Sequence, residues 1–320
     1  MMPKHYSDTL HYHHIHNITF IKNILNMGKI VIQFLSFITI QLVVTLIVGA
    51  VMTAINGNSD VTATTLTVSS AASSILTVVL FCAMKWCPFS REYIQQKPWG
   101  VMFWCVVLTF GILIPSQWLT ELLPDAMTTD ILSDTFKMIL GTPNGYFAVG
   151  LLAPLAEEVV FRGAIQRRAI SYFERKMGVG ETGGNGQKTS ETPRKSHSDT
   201  TIAAQQQAMR ANLAHWMGIV MTAILFALVH GNPAQMPNAL LVGLLLGWLC
   251  YRSGSIVPGL VVHFVNNTTA YVLYNLNPAT YDMHLIDFFG GEQTRLYLAL
   301  LFSLLIFLPA LYQLHLRTKK

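Results

Sequence analysis

Residues Gly145 to Arg168, GYFAVGLLAPLAEEVVFRGAIQRR, decide how the chain is read. The stretch is apolar from Tyr146 to Ala156 and basic where it ends, the pattern of a helix crossing a bilayer. It nevertheless places Glu157, Glu158 and Arg162 where hydrocarbon is expected. An ionisable side chain at the bilayer centre costs at least about 2.5–3.5 kcal/mol on insertion scales, so such residues are functional candidates by default. Spacing separates their roles. Glu158 and Arg162 stand four residues apart, stacked on one helix face, and are placed to pair. Glu157 is turned about 100° away and has no such partner. Pro154 lies one turn earlier and has no N–H for the Gly150 carbonyl, which predicts a kink or a loosened turn beside the acidic pair. The expectation is a structural Glu158–Arg162 pair and a chemically active Glu157.

The rest of the chain suits a membrane. Of its 320 residues 52% are hydrophobic and 12% charged, against a usual charged share of about 25%. The fold class is therefore all-α, a polytopic membrane protein rather than a water-soluble globule. Eight spans are expected, at about 30–55, 63–84, 100–122, 145–166, 213–231, 236–251, 255–275 and 296–314. Eighteen of the 21 Lys and Arg residues fall on one side of that arrangement, which puts both termini in the cytoplasm. The net charge of +5 is thus a topology signal and not a nucleic-acid footprint. Cys82, Cys87, Cys105 and Cys250 sit in or beside apolar segments without metal-ligand spacing and read as small buried hydrophobes. Gly243 and Gly247, spaced G-x-x-x-G, allow close approach of another helix.

The domain division follows. Residues 1–28 form a polar, histidine-rich cytoplasmic tail, read as disordered, with Met27 as a second candidate start. Residues 29–99 hold the first two spans. Residues 100–280 form the core. Residues 281–320 hold the last span and a basic tail. Within the core, about 178–201 is a polar low-complexity insertion, read as a disordered cytoplasmic loop. Such an insertion costs little, because closure entropy grows only with the logarithm of length.

Two more spans carry groups that apolar helices do not need. Span five ends in Phe226-Ala-Leu-Val-His230, followed by Gly231-Asn232-Pro233, so His230 is expected in the last helical turn. Span seven contains His263 and Asn267, four residues apart and on one face, with Pro258 and Gly259 a turn earlier. Peptide hydrolysis asks for this set. A carboxylate such as Glu157 can deprotonate water, and a histidine can return the proton to the leaving amine. An imidazole N–H and an asparagine amide can hold the oxyanion. A second route is metal-assisted: Glu157, His230 and His263 could form a zinc site with water in the fourth position. H-E-x-x-H is absent. The cofactor is therefore none or zinc. Depth raises a tension. From the basic side, His263 lies about 12 Å and Glu157 about 15 Å into their spans, but His230 about 21 Å beyond Trp216 at a rise of ~1.5 Å per residue. Span five must tilt, or start above the membrane surface, for the three to meet.

Glu157-Glu158-x-x-x-Arg162, Phe226-x-x-x-His230 and His263-x-x-x-Asn267, in this order on separate spans, resemble the three-motif signature of the CaaX-protease and bacteriocin-processing family of intramembrane endopeptidases, also called Abi. The resemblance covers roughly residues 100–280. It implies that Glu157 and His230 activate water, that His263 and Asn267 stabilise the oxyanion, and that Glu158 and Arg162 are the second glutamate and the arginine of the first motif. The older family label, metalloprotease, carries the zinc question with it. The implied substrate is a membrane protein or a lipidated or other peptide, in CaaX-type tail processing, bacteriocin maturation or immunity. The implied setting is a lipid bilayer, read as a bacterial cytoplasmic membrane, with no nucleic acid. Two other readings remain: a non-catalytic immunity or scaffold protein, and a proton-coupled transporter, since Glu and His also build proton relays.

Overall fold

The structure, a computed structural model, describes residues 4–87, 92–124, 127, 129–179 and 197–318. Helices dominate, and no strand occurs among the described residues. We number the main helices α1 (Lys4–Asn56), α2 (Ala63–Ala83), α3 (Trp99–Glu121), α4 (143–176), α5 (His197–Leu228), α6 (Met236–Ser253), α7 (Val257–Leu276) and α8 (Gln293–Arg317). Each of the eight expected stretches overlaps one of these helices, but α1, α4 and α5 run ten or more residues beyond the expected bounds at one end. Five contain a segment long and apolar enough to cross a membrane: Asn26–Asn56, Ala63–Ala83, Trp99–Glu121, Thr201–Leu228 and Gln293–Arg317. The other three, α4, α6 and α7, either carry the charged and amide groups or are short. They are the inner helices.

One expectation is corrected at the N-terminus. Helix α1 begins at Lys4, so the described part of the tail is helical rather than disordered. No proline or glycine interrupts residues 4–26, and a helix already nucleated in the span extends at low cost. Of the 178–201 insertion, residues 180–196 lie outside the described residues, and His197 already belongs to α5.

The ends of the inner helices follow local chemistry. Thr142 caps α4 by accepting the Gly145 N–H. Gly254, with φ at +69°, supplies the left-handed turn that closes α6. Gly231, at +61°, does the same after α5.

Helix α4 is the axis of the molecule. All nine residues from Glu158 to Gln166 are buried. One core cluster joins α4 to α1, α2, α5 and the start of α6 through Phe37, Phe81, Phe161 and Phe226. A second joins α3, α6, α7 and α8 through Leu108, Leu246, Val262 and Leu314. Because protein surrounds this part of α4 on all sides, its charges meet other side chains and not lipid. The glycine spacing of α6 acts as expected, and adds a polar function. A Cβ at Gly247 would lie 2.9 Å from both Gln166 and Ile219 side chains. The carbonyls of Gly243 and Gly247 in turn accept from Arg162 Nη2 (3.3 Å) and Gln166 Nε2 (2.8 Å). Four-residue spacing on α4 thus reads four-residue spacing on α6.

Candidate active site

The backbone of α4 loosens around its acidic pair. Turns from Tyr146 to Leu152 and from Glu158 to Gln166 are π-helical, separated by five α-helical residues that include Pro154. The Ala153 N–H reaches back to the Ala148 carbonyl. Proline cannot donate, so the widened register upstream of Pro154 leaves carbonyls without their usual partners. One of these, on Val149, accepts the Asn267 amide at 2.9 Å. The loosened turn expected from Pro154 is therefore present, and it ties α4 to α7.

On this frame the charged groups form a line. Arg162 Nη1 donates to Glu158 Oε1 at 2.8 Å, with both side chains fully buried. His263 Nδ1 lies 3.2 Å from the same oxygen. His263 Nε2 faces Glu157 Oε2 at 3.6 Å, beyond hydrogen-bond length. An arginine-paired carboxylate only accepts, so Nδ1 of His263 carries the proton. The two glutamates differ as the spacing predicted. Glu158 is sealed, whereas the Glu157 side chain is 21% exposed. Gly259 makes room for the line: a Cβ there would stand 2.9 Å from Glu158 Oε2.

His230 lies two residues past the end of α5, in the turn that follows it, and not in the last helical turn. Its Nδ1 is 2.8 Å from the Phe226 carbonyl. A carbonyl accepts only, so Nδ1–H donates and the neutral ring keeps its lone pair on Nε2. Phe226 is what connects His230 to the buried line. Its ring lies edge-on to His230 (5.0 Å between centroids) and to His263 (5.7 Å), and Arg162 covers it at 4.2 Å.

The structure thus gathers Glu157, Glu158, Arg162 and His263 directly, and attaches His230 through Phe226. Asn267 sits one turn along α7 from His263, with one amide hydrogen given to Val149 and a second beyond it. Sequence reasoning quoted Phe226 but gave it no role. It also passed over Asn232, which is fully buried. Asn232 Nδ2 donates to Asp130 Oδ1 (2.9 Å) while its own oxygen accepts the Ile131 N–H (3.3 Å). An amide two residues after a candidate catalytic histidine was the available signal.

The zinc arrangement is not assembled. Among the described residues no group of three His, Cys, Asp or Glu is placed to hold a metal ion. Glu157, His230 and His263 do not meet as a ligand set.

The segment that carries all three motifs is also the one that resembles a known family. Residues 141–269 match the family model for Rce1-like type II CAAX prenyl endopeptidases. The family resemblance is shown over this segment, and the Rce1-like family is a family of proteases. No curated protein and no solved structure matches the chain. The matched Rce1-like segment runs from the turn before α4 to the middle of α7. It therefore takes in the whole line from Arg162 to Glu157, together with Phe226, His230 and Asn267.

Proposed function

We propose that this protein is an intramembrane endopeptidase that hydrolyses a peptide bond in a membrane-associated protein or peptide. One observation carries the reading: a single partly exposed carboxylate, Glu157, stands at the end of an otherwise buried chain of charge. In this reading Glu157 takes the proton of the attacking water. The His230 Nε2 lone pair shares that proton and delivers it to the leaving amine. The second N–H of Asn267 stabilises the oxyanion, joined by His263 in its doubly protonated form, with Nδ1–H held by Glu158 and Nε2–H left to donate. Glu158 and Arg162 hold His263 in place and touch no reacting atom. No step runs through a metal. Eight spans with both termini on the basic, cytoplasmic side complete the proposal, with residues 100–280 as the catalytic core. A CaaX-type prenylated tail is the substrate class that the family description supplies, and peptide maturation or immunity is the alternative use of the same chemistry.

The test compares membrane-protein termini by mass spectrometry in the native host carrying either the intact gene or Glu157→Gln at matched levels. New N- or C-termini confined to the intact protein are expected. Identical termini, with both forms folded and abundant, would overturn the reading and favour an immunity or scaffold role.

A further inference from the structure

Just beyond the buried charge line, α4 changes character. Gly163, Ala164, Arg167, Arg168, Ser171 and Arg175, together with Asn26 of α1 and Trp86 after α2, line a hollow of about 330 Å³. Ala164, Arg168, Ser171 and Arg175 follow one another on one helix face. Glycine and alanine leave the space at one end, and arginines line the rest. No carboxylate lines it. The nearest acid on α4, Glu174, is engaged with His215 at 2.8 Å. Arg175 is fixed by its Nε donating to the Ser171 carbonyl (3.0 Å), and its guanidinium abuts the Asn26 amide. Arg168 Nε is buried and has no hydrogen-bond partner among the described residues.

Basic residues that only mark topology can extend into water, where guanidinium groups are well solvated. Here three of them line one partly open hollow, Arg167 exposed and Arg168 and Arg175 half-buried, where like charges repel and the buried Arg168 Nε without an acceptor costs about 1–3 kcal/mol. An anion with several oxygens relieves both costs, and the planar fork of arginine matches phosphate oxygens two at a time. The volume lies at the small end of the range for ligand pockets. The site also lies where the membrane-spanning part of α4 ends in a basic segment, beside a tryptophan of the kind found at bilayer interfaces. Basic pockets between spans at this level suit anionic lipid headgroups.

We propose that this hollow is a phosphate-anion site, filled in the membrane by the phosphodiester headgroup of an anionic lipid lodged between α1 and α4. A bound headgroup would bridge α1 to the helix that carries Glu157, Glu158 and Arg162.

The test uses the full-length protein in detergent. Short-chain phosphatidylglycerol, short-chain phosphatidylcholine and inorganic phosphate are titrated separately, and binding is read by native mass spectrometry and by thermal unfolding. Phosphatidylglycerol should bind and raise Tm. Arg168→Gln with Arg175→Gln should weaken that binding at least tenfold. A control pair of equal charge loss at exposed positions, Lys97→Gln with Arg210→Gln, should change it less than twofold. Saturation by inorganic phosphate, abolished by the same arginine pair, would support the site and assign it to a soluble phosphate. Equal weakening in both pairs would overturn the proposal, because it would show attraction by surface charge alone. So would binding of phosphatidylglycerol no tighter than phosphatidylcholine together with no response to phosphate. If the double variant does not accumulate, Arg167→Gln, at an exposed position, is read in its place with the same criteria.

Discussion

At the scale of single residues, the proposed function gives the two adjacent glutamates opposite duties, and substitution should separate them. Glu157→Gln removes a base but strands no buried charge, so turnover should vanish while Tm in detergent stays within a degree or two of the parent. Glu158→Gln and Arg162→Ala each leave a fully buried partner unpaired, which costs about 3–5 kcal/mol. Those variants should fall in yield and Tm whatever they do to activity. Equal Tm for all three variants would defeat this division. The division was legible in the sequence because i,i+4 spacing alone gives one glutamate a counter-ion. The second link was not legible: His263 joins Glu158 through Nδ1 and faces Glu157 through Nε2. Only the packing of α7 against α4 could bring that ring between carboxylates 105 and 106 positions away in the chain. The role of Phe226 was hidden for the same reason. Its ring is apolar in composition, yet it stands between a guanidinium and two imidazoles.

At the scale of helices, small residues decide how closely the inner elements approach. Gly259→Ala would place a methyl group 2.9 Å from Glu158 Oε2. The carboxylate must shift, so this variant should lose stability and also displace His263. Activity should therefore fall further than the loss of folded protein accounts for, measured as turnover per folded molecule. Asn232→Ala should act on the other helix. It removes the side chain that holds the turn after α5 to Asp130 and the Ile131 N–H, a loss of about 1–3 kcal/mol. His230, two residues upstream, should become mobile, and kcat should drop with little change in KM. Hydropathy found α1, α2, α3, α5 and α8 with ease because lipid-facing helices are apolar along most of their surface. It also placed α4, α6 and α7, although their polar groups or short length keep them outside the set of long apolar helices. The π-helical turns of α4 left only one trace in the sequence, Pro154. The G-x-x-x-G pair of α6 was read as close packing, but its service as two carbonyl acceptors for Arg162 and Gln166 needs the partner helix in place.

At the scale of the whole molecule, the end opposite the arginine pocket is tied by a small polar cluster outside the spans. Lys137 pairs with Asp282 at 2.7 Å, and Tyr281 donates to Asp130 Oδ2 at 3.0 Å. Burial, and then Asp130 beside it, pushes the Tyr281 phenol up, while the hydrogen bond to Asp282 raises the Lys137 ammonium. Both groups thus have folded values above their unfolded ones. Their contribution is complete below about pH 10 and is lost as pH rises through the raised values. Resistance to protease at this end should fall in alkali, and Tyr281→Phe should flatten that fall. The tie between these distant loops was not legible in the sequence, because exposed charges pair by proximity and leave no periodic signal. A last consequence lies in the join between α4 and α5. The two helices meet directly, with a Cβ at Gly218 blocked by the Ile170 backbone at 2.8 Å and Glu174 bound to His215. A gene divided within codons 180–196 should therefore yield halves that copurify and restore activity when coexpressed.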